Sequence, residues 1–113
     1  MARLIKGKIH LPSGTENFAG ATVYIYVENV GLMDMPAQVV TQTVQHNVTY
    51  EGQALAYSVE GQVDTDDAPF NLRVHISTHN SDDVKKGDFV TKRTYSVLGD
   101  QSPETVDVNV ELV

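Results

Sequence analysis

Cysteine is missing altogether. Its absence removes disulfides, thiolate nucleophiles and cysteine-based metal sites in one step, although it does not by itself set a compartment. Basic residues are scarce, with eight Lys and Arg against fifteen Asp and Glu and a net charge of −7. Phosphate backbones and anionic lipid headgroups attract Lys and Arg, so no nucleic-acid partner and no anionic membrane surface is expected. The acidity reads as a device for solubility. No apolar run approaches the ~20 residues that cross a bilayer. Direct membrane insertion is therefore not expected of this chain, and Met1 to Gly7 has no apolar signal core. Helical periodicity is also missing: no stretch repeats its apolar residues at 3.6 over three turns.

What is present is valine. The 113 residues include 17 Val against 7 Leu and 7 Ala, with 10 Thr. Branching at Cβ suits a pleated strand better than a helical turn. Ile5, Gly7, Ile9 and Leu11 alternate with polar neighbours, as do Ala21, Val23, Ile25 and Val27. The same holds for Phe70, Leu72, Val74 and Ile76, and for Val106, Val108, Val110 and Leu112. Each run is an apolar face backed by a polar one, the pattern of a half-buried antiparallel strand. Three further segments mix polarity: Gln38 to Val48, Gln53 to Glu60 with Leu55, Tyr57 and Val59 on one side, and Phe89 to Val97. Mixed faces suit the edges of a sheet. Gly, Pro, Asp and Asn fill the gaps with turn chemistry. The expectation is one domain over residues 1–113, all-β, a two-sheet antiparallel sandwich of about seven strands. Val23, Ile25, Val74 and Val108 are the first candidates for its core.

Few residues point to chemistry. There is no Gly-x-Ser-x-Gly turn and no glycine-rich phosphate loop, and no paired carboxylates stand out. His75 and His79 are four apart, which on a strand separates them by about 13 Å, so they are not expected to share a metal. His10 and His46 read as solvated, and the run Asp64 to Asp67 as a turn. Tyr24 and Tyr26 fall on the polar face of their strand, where cross-strand packing is the simpler role and a partner surface the other. The triplet Asn47-Val48-Thr49 matches a glycosylation sequon, of consequence only in a eukaryotic secretory route. The segment His79 to Asp88 is the one candidate for a hard cation, through Asn80, Asp82 and Asp88. Counted from Asn80, however, the calcium-loop pattern fails at Val84 and Lys85, and Lys85 and Lys86 oppose a cation. No metal and no cofactor is expected.

The strands and turns together resemble a known family. Gly7 to Pro12 (Gly-Lys-Ile-His-Leu-Pro) precedes the Val/Tyr-rich Gly20 to Val30 and the connector Asp34 to Val40 (Asp-Met-Pro-Ala-Gln-Val-Val). Phe70 to Ile76, Gly87-Asp88-Phe89-Val90 and Tyr95 to Leu98 follow. In this order they are similar to the YbaY/YscW family of bacterial envelope lipoproteins, over nearly the whole chain. The resemblance implies a compact sandwich that is not an enzyme. Its best-understood branch is the pilotin-like chaperones of type III secretion, which help an outer-membrane secretin reach its place. It thus implies a non-catalytic envelope domain, a chaperone or adaptor working through contacts with another envelope protein. It also implies a periplasmic or envelope-associated location. The family's signal peptide and lipidated cysteine are not in this sequence, which leaves a cytoplasmic location open. The alternative is a small-ligand or calcium-binding module using the loop from Asn80 to Asp88.

Overall fold

The structure, a computed structural model, describes residues 2–29, 38–62, 70–79, 81, 83–93, 95–97 and 104–113. Among them are β1 (Ala2–His10), β2 (Phe18–Asn29), β3 (Gln38–Tyr50), β4 (Leu55–Gln62), β5 (Phe70–Ser77), β6 (Phe89–Val90), β7 (Ser96–Val97), β8 (Glu104–Thr105), β9 (Val108–Asn109) and β10 (Glu111–Leu112). There is no helix among the described residues. The strands form a four-stranded sheet, β4-β1-β8 with β9 also on β1, and a six-stranded one, β10-β6-β5-β2-β3 with β7 also on β5. The all-β sandwich expected from the alternating valines is the fold.

The two sheets turn their apolar faces together. Ile5 and Ile9 of β1, Val23, Ile25 and Val27 of β2, and Leu72, Val74 and Ile76 of β5 are wholly buried, as is Val108. Leu55, Tyr57 and Val59 of β4 complete the core from the first sheet. The three valines and one isoleucine expected in the core, Val23, Val74, Val108 and Ile25, all lie in it. Burying each such side chain contributes about 1.5–3 kcal/mol. The mixed-polarity β3 and β4 sit at the ends of their sheets, as their composition implied.

Two segments depart from simple strands. Phe89 to Val97 is not one strand but β6 and β7, both against β5. The last run divides further. β8 and β9 lie parallel to β1, with Ile5 opposite Glu104 and Ile9 opposite Val108. β10 then crosses to the other sheet and pairs antiparallel with β6. This change of sheet breaks the alternation: Val108 and Val110 are buried, while Leu112 is 56% exposed. Among the described strands, these parallel pairings are the exception to an antiparallel arrangement.

The polar face of β2 and β5 is also ordered. Tyr24 stacks on His75 at 5.5 Å, and the Arg73 guanidinium lies 4.1 Å over the Tyr26 ring. Arg73 Nε also meets Glu28 Oε2 at 3.1 Å. The tyrosines thus take the cross-strand role. Asn47 is exposed on β3 and has a positive φ of 56°, a conformation Asn tolerates better than most residues.

Candidate functional site

The chain leaves β5 at Ser77 and returns in β6 at Phe89. Ser77 is fully buried, and its Oγ accepts the N–H groups of His79 and Ser81 at 3.2 and 3.1 Å. This side-chain to backbone bonding turns the chain out of the strand. The return is a tight turn in which Asp88 N–H donates to Lys85 O at 3.0 Å. Gly87, third in that turn, has φ +99°, the conformation a type II turn reserves for glycine. The pair Gly87-Asp88 thus has a local cause, glycine shaping the turn and aspartate closing it.

Asp88 is fully buried. Its Oδ1 accepts Thr78 N–H at 3.0 Å, Thr78 Oγ1–H at 3.2 Å and His79 Nδ1–H at 3.0 Å. Its Oδ2 accepts Lys85 N–H at 3.0 Å and His75 Nε2–H at 2.9 Å. Burial, the largest single influence, opposes ionisation. The bonds from His75, the Thr78 and Lys85 amides and His79 together outweigh it, holding the carboxyl well below its ordinary value of 3.8. An ionised carboxylate only accepts, so His75 Nε2 and His79 Nδ1 each carry a hydrogen. His75 Nδ1 is then left buried with no hydrogen-bond partner.

Sequence spacing put His75 and His79 apart, and the structure brings both to one carboxylate. The histidines do not meet each other; Asp88 stands between them. The signal that would have found this is the hairpin itself. The β5–β6 register sets His75 opposite Val90, and two residues on, Ser77 and Asp88 fall on the same face. Of the three cation candidates, Asp88 has both oxygens engaged by donors of the chain. Asn80 and Asp82 lie outside the described residues, as do residues 64–67. Among the described residues no three His, Asp or Glu side chains are grouped to hold a metal ion. His10, half exposed, faces Asp107 at 3.8 Å, and His46 is exposed.

Beside this node lies a cavity of about 460 Å³ at one end of the sandwich. Thr78 and Gly87 form one wall, the turn from Pro12 another, and Phe18, Phe89 and Leu112 the apolar lining. The Pro12 turn is closed by Thr15, whose N–H and hydroxyl both donate to Pro12 O at 3.2 and 2.6 Å. Phe18 is fixed by stacking on Tyr50 at 5.4 Å and on Phe89 at 6.0 Å. A second depression, of about 390 Å³, adjoins it across Pro12 and Leu112, with His10, Lys92 and Glu111 in its lining. Leu112 stands between the two as an exposed apolar ridge. Sequence reasoning missed this groove because Leu112 reads there as one more core position.

The chain is similar over its full length to a solved structure described as an alternative pilotin from the type II secretion system of Vibrio cholerae. The fold is shared with a secretion pilotin. The TM-score is 0.72 at 19% sequence identity, covering 100% of this chain and 98% of that one. No family model matches the chain, and no curated protein matches it either. The pilotin-like fold therefore stands on the three-dimensional likeness, while the YbaY/YscW resemblance stands on the motifs alone.

Proposed function

We propose that this domain is a non-catalytic, pilotin-like chaperone or adaptor of the bacterial envelope, and that the groove around Leu112 is where it holds its partner. The supporting observation is the coincidence of a pilotin-like fold over the whole chain with an apolar groove, lined by Phe18, Phe89 and Leu112, at one end of it. Leu112 is 56% exposed, so it contributes little to the core and is free to be covered by another protein. Large apolar side chains grouped on a surface mark docking sites. The partner in this reading is an outer-membrane secretin, as the YbaY/YscW resemblance implies.

The test is co-purification of the secretin with the wild-type domain and with Leu112→Asp. Because Leu112 is exposed, the variant should fold with the wild-type spectrum. Secretin binding should weaken by roughly tenfold or more, about what a 1.4 kcal/mol contact yields. Equal binding by both proteins, or none by the wild type, overturns the reading. Calcium-induced NMR shifts confined to residues 78–88, in a domain that binds no secretin, would favour the ion-binding alternative instead.

A further inference from the structure

Three stretches of chain meet at Asp88, and each lines the groove, through Thr78, Gly87 and Leu112. Thr78 and His79 come from the end of β5. Lys85 to Asp88 form the returning turn. The third is the C-terminal stretch: Val113 N–H donates to Asp88 O at 2.8 Å, and Gly87 N–H to Val113 O at 3.4 Å. Thr78 Oγ1 also lies 3.5 Å from Gly87 O. The Asp88 side chain ties the first two stretches together, and its backbone carbonyl holds the third.

We infer that the Asp88 carboxylate is the latch of the groove: residues 78–79, 85–88 and 111–113 open and close as one unit while the two-sheet core stays folded. Two features separate a latch from a plain brace. All five side-chain bonds of Asp88 run to the hairpin's own strand end and turn, so they form or break together. His75 Nδ1 is buried without a partner in the closed state and regains water when the unit opens. An unsatisfied buried polar atom raises the energy of the closed form relative to the open one. β10 is only two residues long and, among the described residues, pairs with β6 alone.

The bearing of the latch on docking rests on the groove being the partner site; the latch itself does not. Native-state hydrogen exchange on the intact domain tests it. The amides of Thr78, Lys85 and Val113 should share one level of protection, at least roughly tenfold below the amides of β2 and β5, as a cooperative sub-global unit does. His79→Ala, which removes one partly exposed donor, should lower all three by the same factor, roughly fivefold. Val113 is decisive, because its amide touches no side chain of the node. Three unrelated protection levels, exchange of all three only together with the core, or an effect of His79→Ala confined to Thr78 each overturns the latch. Adding the secretin separates the two ideas. If it binds and leaves the three amides unchanged, the groove reading fails and the latch stands.

Discussion

Removing the charge of Asp88 leaves its donors facing a group that accepts from only one side. An Asn at this position must turn its NH2 toward either Thr78 and His79 or Lys85 and His75, setting donor against donor. Stranding such buried groups costs about 3 kcal/mol in all, so Asp88→Asn should lower the urea midpoint clearly at neutral pH. The pH dependence has a definite sign. The folded value of the Asp88 carboxyl is depressed, so its contribution is complete above the ordinary 3.8. It is lost as pH falls from there toward the folded value, because only the unfolded chain takes up the proton. Urea midpoints measured from pH 4 down to pH 2 should therefore fall more steeply in the wild type than in Asp88→Asn. Parallel slopes would mean that the carboxylate is not held in its charged form.

At the level of elements, the pairing of β1 with the chain's last segment depends on one glycine. A Cβ on Gly7 would lie 2.0 Å from Val106 O and 2.7 Å from its carbonyl carbon, distances only a shift of backbone relieves. The bare Cα lets the β8–β9 segment cross β1 closely. Val106 N–H donates to Lys6 O at 2.8 Å, the Tyr57 hydroxyl donates to Val106 O, and Asp107 Oδ1 accepts Lys8 N–H at 3.0 Å. Gly7→Val should force this segment outward and cost about 1–3 kcal/mol as overpacking does, seen as a lower thermal midpoint. An unchanged midpoint would show that β8 and β9 move aside freely. The same contrast explains what was legible in the sequence. β1, β2, β4 and β5 each keep one sheet along their length, so alternation alone named the faces they turn to the core, Tyr57 and Val59 included. It did not name the burial of Thr22, Tyr26, Glu28, His75 and Ser77 on the other face of β2 and β5. Residues 104–112 serve two sheets, and no period of two survives the crossing, so Leu112 was misplaced. The site was less legible still. His75, His79 and Asp88 converge only because Gly87 bends the return of the hairpin, and that geometry is visible in the sequence merely as Gly-Asp.

For the whole molecule, the order of assembly follows from where the ends of the chain lie. The first strand is completed by the last segment, β8 and β9 against β1, while β10 closes the other sheet on β6. Contacts this distant in sequence form only after a large loop has closed, which slows folding. They also make the last ten residues a clasp across both sheets. Val108 and Val110 are almost wholly buried, and at about 1.5–3 kcal/mol each they represent a large part of the ~5–15 kcal/mol typical of a domain. Without residues 104–113, Ile5 and Ile9 would also lose the cover of that segment. A chain ending at residue 103 should show no cooperative thermal transition and collapsed amide dispersion by NMR. Adding the missing segment as a separate peptide should restore both, since the pairing needs the strand and not its covalent link. A truncated chain that melts cooperatively would mean that the core closes without its clasp, and that residues 104–113 serve the groove alone.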